Sequence, residues 1–307
     1  MAPSLTTKTE KITMLSLLTG NGRLSTALAF ALLALAFSTS TAQADKMKAD
    51  KKCDAKVITP SDGVIKLYNG KNFDGLTTWL SDAKHEDPRS VFSIKDGIIH
   101  ITGDGFGYVR TNKSYRDYHL VIEFKWGQRT WRHRKNKSRD SGVIVHCIGP
   151  DGGCGNVFMA GVEAQIIEGG TGDFIAVDGV DSDGGKISSS ITAETEKDRD
   201  GELVWKAGGV PATVSDTTTR INWFGRDPDW KDEVGFRGKR DVESPFGQWI
   251  RMDVICEGSR ITIMVNGVVV NKGFDATTTA GPILVQTEGA EIFVRRWELW
   301  PLGKSPK

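Results

Sequence analysis

Residues 118 to 126 read Tyr-His-Leu-Val-Ile-Glu-Phe-Lys-Trp, and their period is two. On an extended chain Tyr118, Leu120, Ile122, Phe124 and Trp126 share one face, while His119, Glu123 and Lys125 share the other. The same alternation returns in Ile250, Met252, Val254 and Cys256, set against Arg251, Asp253 and Glu257. Two half-buried strands of this kind require a second apolar layer to cover them. Turn chemistry supplies the means: Ser93–Ile101 reads as a hairpin about Asp96-Gly97, and Ile261–Val270 as one about Asn266-Gly267. Both dipeptides tolerate the positive φ that a two-residue type I′ turn demands.

Further strands are expected at Val64–Tyr68, Tyr108–Thr111, Ser141–Ile148, Val162–Ile167, Ile187–Ile191, Ile283–Thr287 and Ile292–Leu299. With 35 glycines and no sustained helical period, the pattern predicts an all-β sandwich or barrel. The least regular stretch runs from Gly169 to Gly247 and carries Trp205, Trp223 and Trp230. It is expected to form long loops over one sheet face, where binding functions concentrate.

The N-terminus has a different character. An apolar run from Leu24 to Phe37 follows Arg23 and leads to Ala42-Gln43-Ala44. That is the pattern of a secretory signal peptide, with cleavage expected near Ala44 and Met14 as an alternative start to Met1. The run is shorter than the ~20 apolar residues of a membrane span, and no second one follows. The expected organisation is therefore a signal peptide over 1–44, a polar tether over 45–60 and a β domain over 61–303, with the product secreted or periplasmic. Forty Lys and Arg against 39 Asp and Glu give a net charge of +1, which lacks the basic excess of a nucleic-acid binder. The basic run from Arg129 to Arg139 is read as a solvated loop. In an oxidising compartment Cys147 and Cys154, separated by turn-rich residues, are the pair expected to close a loop.

The densest polar cluster is Gly161-Val-Glu-Ala-Gln-Ile-Ile-Glu168. On a strand Glu163 and Gln165 share a face, with Val162, Ala164 and Ile166 turned into the core. Glu168 has the opposite parity and joins Glu163 only if a bulge intervenes or the strand ends near Ile167. His146 alternates with Ile144 and Ile148 and is either a site residue or a hydrogen-bonded core histidine.

Glu163-x-Gln165-x-x-Glu168 resembles the Glu-x-Asp-x-x-Glu signature of retaining glucanases of the laminarinase and lichenase type, with Gln165 standing where those enzymes have Asp. A second resemblance covers more of the chain. Leu67-Tyr-Asn-Gly-Lys-Asn-Phe-Asp-Gly75, Phe92-Ser-Ile-Lys-Asp-Gly-Ile-Ile99, Tyr108-Val-Arg-Thr111, Ser141-Gly-Val-Ile-Val-His146, Gly161–Glu168 and Gly281-Pro-Ile-Leu-Val-Gln286 occur in one order, closed by Ile292–Arg296. This set resembles the 3-keto-disaccharide hydrolase domain family. The resemblance implies a concanavalin-like jelly-roll β-sandwich of two antiparallel sheets and a carbohydrate substrate. His146 stands where that family often has Arg, and Glu288 where it has His.

In a 3-keto-glycoside the ketone acidifies the C2 hydrogen, so a base can remove it and expel the C1 substituent before water adds. Such a site needs a base and a donor facing the ketone oxygen. Glu163, Glu168 and His146 are the candidate catalytic residues, and Gln165, Gln286, Glu288, Lys125 and Trp223 the candidate substrate-binding residues. A divalent metal held by His146 and a carboxylate is compatible with the spacing. Three functions stay open at this point: a 3-keto-glycoside hydrolase or lyase, a retaining glucanase, and a non-catalytic carbohydrate-binding module.

Overall fold

The computed structural model describes residues 56–304. The expected signal peptide, Cys53 and most of the tether lie outside them. Two large antiparallel sheets and a two-stranded ribbon hold the strands of the described residues, and the short 3-10 turn Arg132–Arg134 is the helical element among them. No helix of the described residues is long and apolar enough to cross a membrane.

The larger sheet has eleven strands and is centred on Tyr118–Thr130, which lies between Ile250–Glu257 and Ala290–Trp300. Leu120 pairs with Val254 and Ile122 with Met252, so the two alternating segments meet in register with their apolar faces on one side. Tyr118, Leu120, Ile122 and Phe124 are all fully buried. The second sheet has seven strands, ordered Arg220–Ile221, Phe174–Val177, Ala160–Ile167, Asp140–Ile148, Leu284–Glu288, Phe106–Thr111 and Leu76–Leu80. From it Val143, Val145, Val162, Ala164, Ile166 and Val285 face the larger sheet in one apolar core. Each fully buried aliphatic side chain of this kind contributes about 1.5–3 kcal/mol, and the two inner faces make the β-sandwich that the alternation implied.

Both short hairpins form as expected. Asp96 and Gly97 have φ of 53° and 77°, and Asn266 and Gly267 have 48° and 83°, the left-handed pair of a type I′ turn. Four expectations need correction. Ile187–Ile191 is not one strand: Lys186–Ile187 and Ile191–Lys197 are separate, and the latter joins the larger sheet. The Gly169–Gly247 stretch is only partly loop, since it contributes Phe174–Val177, Val210–Val214 and other short strands to both sheets. The end of the tether is already docked, because Ile58 and Ser114 share a backbone hydrogen bond of 2.9 Å and Pro60 is buried.

The fourth correction concerns charge and thiols. Arg134 and Arg139 of the basic run are buried: Arg134 lies between Asp140 and Asp232, and Arg139 holds Glu168. Buried carboxylates therefore draw these two guanidiniums out of water. Cys147 and Cys154 are both free thiols. Peptide hydrogen bonds close their loop instead, Gly153 N–H to Pro150 O at 3.1 Å and Cys154 N–H to Phe158 O at 2.8 Å. The Cys147 thiol turns back onto Ile144 O at 3.4 Å.

Candidate active site

The outer face of the seven-stranded sheet is built by strict alternation. In register across it, Glu163 pairs with Ile144 and Ile175, and Ile175 with Arg220. One pleat further along lies Gln165 opposite Gly142, then Asp140 opposite Ile167, and Glu288 opposite Phe106. These outward side chains line a cavity of about 360 Å³ that holds Asp140, Glu163, Gln165, Arg220, Gln286 and Glu288. Glu163 and Gln165 are each 5% exposed and Gln286 1%.

Gly142 makes the crowding possible. A Cβ there would sit 2.2 Å from Glu163 Oε1 and 2.4 Å from Gln286 Oε1, so the two side chains cross directly above its backbone. The Gln286 amide hydrogen-bonds the Glu163 carboxyl, while Gln286 Oε1 and Asp140 Oδ1 are buried with no partner in the protein. Buried polar atoms left open in this way face a place that a ligand can occupy.

The electrostatics are lopsided. Burial, followed by the negative charge of Asp140, pushes the Glu163 carboxyl from its ordinary 4.5 up to about 8. Burial likewise raises Asp140 from 3.8 to about 7, against the pull of Arg134 at 3.5 Å and of Arg220. Glu288 is raised well above its usual range, first by desolvation and then by its two acidic neighbours. Three carboxyls thus share one cavity with a single lining cation, Arg220, whose closest acidic contact is Asp173 at 3.7 Å. Such a cluster holds protons at neutral pH and releases them in coupled steps.

The remaining expected site residues sit elsewhere. His146 is fully buried in the inter-sheet core, its ring 5.5 Å from Tyr118 and its Nδ1 3.1 Å from Thr278 O. The cause is a bulge between Val145 and Ile148, where His146 takes φ 54° and the alternation slips. Burial lowers its pKa to about 4, so the ring is neutral. Glu168 follows the end of its strand and accepts from Arg139 Nη1 at 2.6 Å, Arg139 N–H at 2.9 Å and Gly235 N–H at 2.9 Å. Its carboxylate is consumed in tying loops together. Lys125 lies on the outer face of the other sheet, 5.0 Å from the Trp249 ring and 5.5 Å from that of Phe293. Trp223 is 1% exposed and donates its indole N–H to Gly169 O at 3.2 Å, which makes it a loop anchor. His146 and Glu163 do not converge, and among the described residues no group of three or more His, Cys, Asp or Glu is placed to hold a metal ion.

The sequence reading did not pick out Asp140, Gly142 or Arg220. Asp140 was hidden as the last residue after a basic run, although it is the position two before Gly142 in an alternating strand. Arg220 lies on a two-residue strand, too short to show a period.

Comparison with known proteins identifies a family. The sequence profile of the 3-keto-alpha-glucoside-1,2-lyase-like domain matches residues 63–299. Among curated proteins no relative matches the chain. Solved structures similar to it include a Parabacteroides distasonis protein provisionally described as a glycosyl hydrolase, 16% identical over 78% of this chain and 94% of that one, with a TM-score of 0.45. Others are a carbohydrate-binding module from Bacillus subtilis, 10% identical over 73% and 94% at 0.41, and the Bacillus licheniformis beta-glucanase, 11% identical over 78% and 99% at 0.39. Likenesses this distant add nothing to the assignment of a substrate.

Proposed function

The chain belongs to the 3-keto-alpha-glucoside-1,2-lyase-like domain family, and from that premise we propose that its outer-face cavity cleaves 3-keto-glycosides by elimination and hydration. The observation that carries this reading is the placement of Glu163: buried in the cavity, without an ion pair among the described residues, sharing that cavity with two other carboxyls and with the one lining cation. A base with an affinity for protons near neutrality suits removal of a hydrogen alpha to a ketone.

In this mechanism the Glu163 carboxylate takes the C2 proton and the electron pair moves onto the C3 oxygen. Arg220 and the amides of Gln286 and Gln165 stabilise the enolate. The enolate then collapses, the C1–O bond breaks, and a carboxylic acid of the cluster, Asp140 or Glu288, gives its proton to the departing oxygen. A C1=C2 double bond results. Water then adds across it, oxygen to C1 and hydrogen to C2, and restores the free keto-sugar. No step here is routed through a metal ion: among the described residues His146 and Glu163, the pair expected to hold one, lie on different faces of the sheet.

The retaining-glucanase alternative loses its second carboxylate here, because Glu168 is bound to Arg139 and two backbone amides. A retaining pair requires two carboxyls about 5 Å apart across the scissile bond. We also propose that the protein is exported, on the strength of the apolar run 24–37 and Ala42-Gln43-Ala44.

The test is a product assay on 3-keto-glucosides, unmodified β-glucans and unoxidised glucosides, each with and without a chelator. Release of free keto-sugar from the first class alone, unaffected by chelator, is expected. Cleavage of plain glucan overturns the proposal, and saturable sugar binding with no turnover of any substrate favours the binding module.

A further inference from the structure

The cavity has two unlike ends. Along the strands the side chains run from Asp140 and Glu288, through Gln165 and Gln286, to Glu163, with Ile175 level with it on the neighbouring strand and Val177 one pleat further on. At that far end the loop 149–158 folds over the sheet and adds Cys154, Val157 and Phe158 to the lining. Glu163 therefore stands at the boundary between an acidic half and an apolar wall.

The wall is held in place before any ligand arrives. Asp151 of the loop accepts two hydrogen bonds from Arg110, 2.7 Å from Nε and 2.8 Å from Nη2, and a third from the Tyr108 hydroxyl at 2.7 Å. Gly152 N–H donates to the same hydroxyl at 3.2 Å. The far side of the loop is fixed by Asn156, whose Nδ2 donates to Ser81 O at 2.8 Å and whose carbonyl accepts from the Trp79 indole at 3.3 Å. Beneath it Ile144, Met159 and Leu284 form a separate buried apolar cluster against which Cys154 and Phe158 pack. Val157 and Phe158 themselves stay partly exposed.

We infer that this site takes glycosides whose leaving group is an aromatic or aliphatic aglycone in preference to a second sugar; the inference rests on the elimination reading above for the position of the reacting carbon. If Glu163 reaches C2 of the keto-sugar, the ring with its hydroxyls and ketone lies over the acidic and amide side chains. The C1 substituent then projects toward Val157, Phe158, Ile175 and Val177. None of those four side chains carries a donor or an acceptor. A second sugar turned toward these four side chains, rather than toward Arg220 beside Ile175, leaves hydroxyls without partners, which costs about tenfold or more in affinity for each one desolvated. An apolar aglycone removes apolar surface from water on both sides instead.

The decisive comparison sets an alkyl leaving alcohol against a sugar hydroxyl, which is the more acidic of the two, so that leaving-group chemistry alone favours the disaccharide and wall contact the alkyl glycoside. We would measure kcat/KM for a cyclohexylmethyl 3-keto-glucoside and for a 3-keto-disaccharide, in the wild type and in Phe158→Ala and Val157→Ser. The expected ratio is about ten or more in favour of the cyclohexylmethyl compound, falling toward one in both variants. A ratio near one in the wild type, or a preference for the disaccharide, overturns the inference. So does a ratio that survives both substitutions, since a merely structural defect lowers both substrates together. If neither compound is turned over, calorimetry with the unoxidised cyclohexylmethyl glucoside and disaccharide decides: tighter binding of the former that weakens in the variants upholds the apolar wall while the elimination reading falls. Equal binding of the two overturns the wall as well.

Discussion

The outer faces of the two sheets are made by the same alternation, yet they treat acidic side chains in opposite ways. On the eleven-stranded sheet Glu123, Glu298 and Asp253 each meet a cation. Glu123 contacts Arg295 at 2.6 Å and Arg296 at 3.1 Å, Glu298 contacts Arg296 at 2.6 Å, and Asp253 contacts His119 at 2.6 Å and Arg251 at 2.7 Å. Desolvation pushes Glu123 and Asp253 up, but the hydrogen bonds and charges of these partners outweigh it and hold both below their ordinary values. On the seven-stranded sheet Asp140, Glu163 and Glu288 are crowded together with Arg220, only Asp140 of the three has an ion pair among the described residues, with Arg134 at 3.5 Å, and all three are raised. Alternation explains why both faces carry polar residues. Only the pairing of charge distinguishes a scaffold from a site, because unpaired buried carboxyls cost stability unless a ligand or a reaction uses them.

The sharpest way to break this contrast is Glu163→Gln. Turnover of a 3-keto-glucoside should fall by two orders of magnitude or more, roughly what general-base catalysis contributes, and exchange of the C2 hydrogen with deuterated solvent should fall with it. Stability should move the other way. The Glu163 carboxyl has its ordinary value of 4.5 in the unfolded chain and about 8 in the fold. Its contribution is therefore fully present below about pH 4.5 and is lost as pH rises to about 8. The glutamine variant does not titrate there, so denaturant unfolding should show it gaining on the wild type across that window. Full activity in the variant would remove Glu163 from the chemistry, and a flat stability difference would mean that its carboxyl is not held protonated.

Asp140→Asn tests whether the carboxyls act as a group. The Asp140 charge is the largest cause after burial of the raised Glu163 value. Removing it should move the rising limb of the pH–rate profile to lower pH while most of the maximal rate persists, unless Asp140 is also the proton donor, in which case the maximum drops too. An unchanged midpoint would show that Glu163 does not feel Asp140.

How much of this was legible in the sequence follows from where the alternation is unbroken. Ala160–Ile167 runs eight residues without a bulge, and parity alone placed Glu163 and Gln165 together on the outer face. The paired strand Asp140–Ile148 slips after Val145, so parity could not decide between a site residue and a core histidine at His146, and the bulge turns it into the core. The sandwich itself was readable because Tyr118–Thr130 and Ile250–Glu257 alternate cleanly and their hairpin partners carry Asp-Gly and Asn-Gly turns. Glu168 was correctly seen to have the wrong parity, but nothing local revealed that Arg139 and Gly235 would claim its carboxylate. Arg220 reaches the cavity through long-range pairing of Arg220–Ile221 with Phe174–Val177, which no short window contains. Tertiary register, unlike strand parity, is not a local property.

The smallest expected effect comes from the matched face and completes the comparison. Glu123→Gln removes a carboxylate whose side chain is 16% exposed and which bridges two arginines at the centre of the larger sheet. Pairs of this partly solvated kind contribute up to about 1 kcal/mol, so at neutral pH the variant should lose no more than that, and the cavity on the opposite sheet should turn over substrate as before. The pH dependence carries the information. Because Arg295 and Arg296 hold the folded Glu123 carboxyl below its ordinary 4.5, its contribution is present above about pH 4.5 and disappears as pH falls through the folded value. The deficit of Glu123→Gln should therefore shrink on acidification, whereas Glu163→Gln gains as pH rises from about 4.5 to about 8. Two isosteric changes, both on outward-facing strand positions, should then show different pH windows and opposite signs in the same unfolding experiment. Should Glu123→Gln gain on the wild type with rising pH as well, the division between a charge-matched face and a charge-crowded one would be wrong, and burial alone would account for both.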